Sequence, residues 1–185
     1  VIDFQTRNVL EAKAFSDPFA WVEREVLPHV QALAKAEREK TGKTTGQDQN
    51  WLQVWWQHFR PRPELIGKLA RLPRYLACSR VTKRPIFAFI DSAVRPGDAL
   101  QVFAFADDYS FGILQSAAHA QWFFAKCSKM KSDFRYTPES VFDTFPWPQA
   151  PSEKQIDTIA AAGREIRRIR SEALFNLTGG LRALY

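Results

Sequence analysis

Residues 74–106 read RYLACSRVTKRPIFAFIDSAVRPGDALQVFAFA. Three short runs within this stretch, at 75–80, 86–90 and 100–106, are dense in aromatic and aliphatic residues and are bounded by turn residues, which is the pattern of strands. Pro96-Gly97 supplies turn chemistry between the second and third. A small sheet is therefore expected here, and the flanking sequence reads as helical. On the N-terminal side, Ser16-Asp17-Pro18 starts a helix that should run to Lys40–Gly42, with Pro28 kinking or splitting it. Residues 41–50, TGKTTGQDQN, read as an exposed polar loop. Trp51, Trp55 and Trp56 then form a helical cluster, and a short helix is expected from Pro63 to Leu72.

On the C-terminal side, Asp107-Asp108 can cap a helix running to about Phe124, with Ile113, Leu114, Ala117 and Ala118 on its apolar side. Residues 130–136 alternate charged and less polar side chains, as a strand or extended loop would. Ile156, Ile159, Gly163, Ile166, Ile169 and Ala173 recur every three or four residues, so a closing amphipathic helix is expected over 152–172. The fold class is α+β: a small mixed or antiparallel sheet with flanking helices and helical N- and C-terminal extensions. The expected divisions are 1–50, a helical connector and loop; 51–150, the central domain; and 151–185, a C-terminal helical segment.

With 185 residues, 45% of them hydrophobic and 14% aromatic, the chain can bury one substantial core but hardly two catalytic domains. The two cysteines, Cys78 and Cys127, show no paired spacing and read as reduced thiols in the interior. No apolar run is long enough to span a bilayer and no signal peptide is visible, so a cytoplasmic location without membrane contact is expected. The chain opens on Val1, and is read as part of something longer.

The net charge of +6 is unevenly placed. Between positions 60 and 84 the basic residues Arg60, Arg62, Lys68, Arg71, Arg74, Arg80, Lys83 and Arg84 face Glu64 alone. Lys126, Lys129, Lys131 and Arg135 face Asp133 between 126 and 136. As a group these suit a polyanion, since each phosphate neutralised releases counterions. Arg164, Arg167, Arg168 and Arg170 on the last helix read as a solvated face.

Catalytic patterns are missing from the sequence. There is no glycine-rich loop after a strand for an AdoMet cofactor, and no acidic or amide residue followed by Pro-Pro and an aromatic. Nuclease-type carboxylate and lysine spacing is absent as well. His29, His58 and His119 are far apart and suggest no metal site, and Asp107-Asp108 is better explained as a cap than as a metal-binding pair. No catalytic residue, cofactor or metal is expected within this chain.

Several motifs in order carry a resemblance. They are Trp55-Trp56 leading to Arg60-Pro61-Arg62-Pro63-Glu64; Pro73-Arg74-Tyr75-Leu76-Ala77 with Arg80-Val81-Thr82-Lys83; Asp107-Asp108-Tyr109 with Phe111-Gly112-Ile113-Leu114-Gln115-Ser116, His119 and Trp122; Arg135-Tyr136-Thr137; and Thr144-Phe145-Pro146-Trp147-Pro148. Together, over roughly 50–150, they resemble the target-recognition region of MmeI-like single-chain restriction-modification enzymes and related adenine-specific DNA methyltransferases. The resemblance implies a partner in double-stranded DNA, and a methyltransferase domain elsewhere in the same protein that uses S-adenosylmethionine. It also implies base-reading roles. Lys131 and Asp133, just before Arg-Tyr-Thr, would read one G·C pair, lysine donating to guanine and the carboxylate accepting from cytosine. Arg135 would read beside them, and Arg80 with Asp98 would form a second pair.

Phosphate contacts are expected from Arg60, Arg62, Arg74, Lys83, Arg84 and Lys129. The Thr144–Pro148 segment, Phe111-Gly112 and Trp122 are expected to be structural. The alternative reading is a protein-interaction module in which the tryptophans around Trp51–Trp56 form an apolar docking patch and the basic charge is incidental.

Overall fold

The computed structural model describes residues 2–59, 62–130, 133–178 and 180. The fold is α+β, and its internal contacts group into two compact units, Val1–Glu64 and Leu65–Tyr185. The first unit is helical: α1 (Val9–Lys13), α2 (Ser16–Glu25), α3 (Leu27–Thr41) and α4 (Gln47–Gln53). Pro28 sits in the first turn of α3, where a missing N–H does no harm, and it divides the long helix expected from Ser16 into α2 and α3. Gly42 ends α3 at a φ of 66°, a conformation that glycine adopts without a Cβ clash.

Residues 47–50 are helical, not loop as the sequence suggested. The Glu37 carboxylate accepts from the amides of Gln47, Asp48 and Gln49 at 2.9–3.0 Å, satisfying the free N–H groups that open α4. The tryptophans pack inside this unit. Trp55 lies 5.3 Å from Phe19, and the Trp56 indole N–H donates to the Arg7 carbonyl at 2.9 Å. The compact units part after Glu64.

The second unit is built on β1 (Arg74–Ser79), β2 (Ala88–Asp91) and β3 (Leu100–Phe103), antiparallel in the order β2-β1-β3. Side chains alternate across the central strand. Tyr75 and Ala77 pack with Leu69 of α5 (Pro63–Leu69), while Leu76 and Cys78 join Phe87, Phe103, Phe111, Leu114 and Phe123 on the opposite face. Burial on both faces explains why the YLAC run shows no polar alternation. Burial also pushes the Cys78 thiol up to about 12, so it stays protonated; Cys127 is half-buried.

The helix expected from Asp107 to Phe124 is two, α6 (Asp108–Leu114) and α7 (Ala117–Lys126). Asp107 caps the first by accepting from the Ser110 amide at 2.7 Å. Ser116 caps the second by accepting from the His119 amide at 3.2 Å, and this restart breaks the run. The hairpin strands β4 (Ser128–Met130) and β5 (Asp133–Arg135) follow, then a π-helical turn over Pro138–Phe142 and α8 (Glu153–Phe175), whose start is a capping box between Ser152 and Gln155. Phe145 meets Trp147 and His119 edge-on, and Trp147 packs on Phe105 and edge-on against Phe142, so the proline-rich turn at 144–148 is structural, as expected.

Helix α8 crosses α6 at two glycines. A Cβ on Gly112 would fall 2.8 Å from the Ile159 carbonyl oxygen, and one on Gly163 would fall 2.7 Å from that of Asp108. Beside this crossing, Asp108 accepts from Arg167 at 2.5 Å and Arg74 at 3.3 Å, with Arg164 3.8 Å away. Arg74 and Arg167 also stack on Phe89, at 3.7 and 4.9 Å from the ring centroid. Arg170 is buried and donates to the Phe87 carbonyl at 2.8 Å. The reading of the α8 arginines as one solvated face is thus corrected: Arg167 and Arg170 tie the helix to the sheet, and Arg168 pairs with Glu165 and Glu172 on the exposed side.

Candidate nucleic-acid interface

The chain bends at Arg80, immediately past the end of β1. The Arg80 amide donates to the Ala99 carbonyl at 2.8 Å, and the Arg80 carbonyl accepts from the Tyr136 amide at 2.7 Å. The Thr82 amide then donates to the Phe134 carbonyl at 2.9 Å, and Val81 bridges Arg135 in antiparallel register. Residues 80–82 therefore leave the three-stranded sheet and pair with β5. Three stretches far apart in sequence, 80–82, 98–99 and 133–136, meet along one backbone-bonded edge.

That edge carries four of the five residues expected to read bases. Arg80 is half-buried, Asp98 is exposed in the turn before β3, Asp133 is half-buried and Arg135 is exposed. The fifth, Lys131, lies outside the described residues, as does Arg60. Strand periodicity sorts the side chains of β5. Phe134 turns inward, 5.3 Å from Phe124 and 6.1 Å from Phe123. Asp133 and Arg135 consequently project from the opposite face, with Ser128 facing Arg135 in register and the exposed Val81 beside it. The edge thus combines cationic donors with carboxylate acceptors, the mixture that discriminates base edges in a major groove.

The residues expected to hold phosphates are distributed differently. Lys83 and Arg84 are exposed on a tight turn in which the Thr82 hydroxyl donates to the Arg84 carbonyl at 2.5 Å and accepts from its amide at 3.1 Å. The backbone that follows is anchored: the Phe87 amide donates to the Gln115 side chain at 2.9 Å, and its carbonyl takes the Arg170 bond. Arg62 is exposed in the first unit, with a φ of 45°. Lys129 stands opposite Phe134, with its ammonium 5.9 Å from that ring, on the other face of the hairpin from Asp133 and Arg135. Arg74 is engaged internally, donating to the Ala106 carbonyl at 2.9 Å and to Asp108.

Beneath the edge lies a polar pair that the sequence reading assigned no joint role. His119 on α7 is fully buried, and its Nε2 meets the Tyr136 hydroxyl at 3.0 Å. The Tyr136 ring stacks on Phe123 at 5.6 Å and meets Phe87 and Phe103 edge-on. Burial lowers the His119 imidazole to about 4, partly offset by the Leu114 carbonyl, and burial raises the Tyr136 phenol. Because the folded imidazole is harder to protonate than the unfolded one at 6.5, folding stability is complete above pH 6.5 and falls as pH drops toward 4. A shift of this size corresponds to about 3 kcal/mol. Denaturant unfolding at pH 7.5 and pH 4.5 is expected to show His119→Gln losing about 2–3 kcal/mol less than the wild type over that interval; equal losses would mean that His119 does not titrate in this way.

Comparison with known proteins places this edge in a family context. Residues 76–149 match the MmeI target recognition domain. That match runs from β1 to the turn that closes the aromatic cluster, so it includes Arg80, Asp98, Asp133 and Arg135, while Arg62 and α8 fall outside it. A solved structure of the Type IIL restriction-modification enzyme MmeI in complex with DNA is similar over 92% of this chain, with a TM-score of 0.64 and 23% identity. The likeness to MmeI extends the shared fold beyond the recognition domain. The chain spans 21% of the length of that enzyme. No curated protein matches it.

The tryptophans of the 51–56 segment make their contacts within the first unit. Trp55 and Trp56 pack on the core of their own unit, and the Trp51 indole donates to the Gln57 carbonyl at 3.0 Å while its ring meets Phe59. Among the described residues no group of three His, Cys, Asp or Glu side chains converges on a metal-sized site, and no helix is long and apolar enough to cross a membrane.

Proposed function

We propose that this chain is the sequence-reading part of a bacterial adenine-N6 DNA methyltransferase, in which the edge formed by 80–82, 98–99 and 133–136 faces the bases of double-stranded DNA. The convergence of Arg80, Asp98, Asp133 and Arg135 on one backbone-bonded edge, within the stretch that matches the MmeI recognition domain, carries this reading. S-adenosylmethionine and the catalytic residues belong to the rest of the protein, a methyltransferase domain in the same polypeptide, and the site of action is the cytoplasm. A methyltransferase of this kind must extrude its target adenine, so the reader has to keep the remaining bases in register.

In this scheme Lys83, Arg84 and Arg62 bind phosphates and contribute affinity that is independent of sequence. Duplex binding should weaken steeply with salt, and Lys83→Ala or Arg62→Ala should each reduce the slope of log affinity against log salt by about 1. Titrations of specific and unrelated duplexes across a salt series measure this. The loss should be the same for both duplexes; a loss confined to one sequence would move that residue to the base-reading set, and salt-insensitive binding would overturn the assignment to DNA.

A further inference from the structure

A buried polar pair in an aromatic core is costly unless each partner satisfies the other, so its presence calls for a reason. His119 and Tyr136 are 0% and 1% exposed, and they connect a helix of the core to the residue immediately after β5. Tyr136 is held in three independent ways. Its hydroxyl meets His119, its ring is enclosed by Phe123, Phe87 and Phe103, and its amide donates to the Arg80 carbonyl.

The position is consequential because of strand geometry. A slip of one residue between β5 and residues 80–82 would turn Phe134 outward and Asp133 and Arg135 inward; a slip of two would keep the faces but put the wrong charge at each place. The ladder itself opposes such slips weakly, since β4 and β5 are three residues each and the pairing to Val81 is a single bridge. A side chain that fits one buried socket, and must find His119 there, opposes them strongly.

We infer that His119 and Tyr136 are positioning residues that lock the register of the reading hairpin, so that the pair determines which charges meet the bases without touching DNA. The inference rests on the reading of this edge as a DNA reader. It predicts an effect on discrimination that is separate from stability and from general affinity.

The test uses the intact protein that carries this chain and a library of DNA duplexes randomised over the binding site, from which the preference at each position is read. Tyr136→Phe keeps the ring and its stacking but removes the hydroxyl; His119→Phe removes the other partner. Each variant should lower discrimination about tenfold at the base pairs read by the hairpin. Affinity for unrelated duplex, and preferences at positions read elsewhere, should stay within about twofold. His119→Gln, which can still hydrogen-bond to the phenol, should recover most of the loss. Unchanged discrimination in both phenylalanine variants overturns the inference, as does an equal loss at every position in step with a lower melting temperature. A wild-type profile with no preference at any position overturns the DNA reading itself and this inference with it.

Discussion

Exchanging the charges at the hairpin, Lys131→Glu together with Asp133→Arg, is expected to convert one G·C pair of the methylation motif to C·G and to leave every other position unchanged. A cationic side chain donates to guanine O6 and N7, and a carboxylate accepts from the cytosine amino group, so reversing the two reverses the preferred orientation of the pair. Each such contact discriminates by about 1–3 kcal/mol, or roughly 5- to 150-fold. Asp133 is well placed for this, because Phe134 fixes the opposite face of β5 in the core. The effect is measured by mapping methylated adenines in genomic DNA exposed to the parent enzyme and to the double variant. A normal yield with an unchanged motif would remove Lys131 and Asp133 from the reading set and leave the proposal resting on Arg80, Asp98 and Arg135.

At neutral pH a marked stability effect is expected at the crossing of α6 and α8. In Gly163→Ala the added methyl would meet the Asp108 carbonyl, a backbone atom that cannot turn aside, with the Phe111 ring and the Gly112 backbone close behind. Alanine is the better helix former by about 1 kcal/mol, yet forcing a methyl into a filled core costs about 1–3 kcal/mol and more when backbone must move. A net loss of about 1–2 kcal/mol is expected. Gly67→Ala on α5 reverses the sign: nothing lies within 4 Å of its Cβ position, so a gain of about 0.5–1 kcal/mol follows. Urea unfolding of the two variants beside the wild type measures the contrast. Equal and favourable shifts would show that α6 and α8 separate more easily than their contact suggests.

Much of this fold is written in local pattern. The period of Ile156 to Ala173 locates α8, Ser16 and Gly42 bracket the α2–α3 region, and the three apolar runs locate the sheet with its turns. Local rules fail where a distant side chain supplies the missing partner. Glu37 reaches across to cap α4, so a glycine-containing polar run becomes helix; Phe87 has its backbone bonds met by Gln115 and Arg170, so β2 starts later than its apolar run. The restart at Ser116 could have been read from its capping side chain. So could the burial of Arg170, which follows Ala160, Gly163 and Ile166 at core spacing on α8. For the site, family resemblance supplied the names of Arg80, Asp98, Asp133 and Arg135. Nothing local announces that residues 80–82 cross to β5, and the His119–Tyr136 pair, separated by 17 positions, is visible only in the fold.

The alternation along β5 has a consequence for heredity. Codons 133 and 135 specify side chains outside the core, so changes there can accumulate with little penalty to folding, whereas codons 134 and 136 specify the phenylalanine and tyrosine on which the packing depends. Point mutation can therefore wander through charge combinations at every second codon while the scaffold is conserved between them. Folding thus constrains every second codon of β5 and leaves the alternate ones open to change.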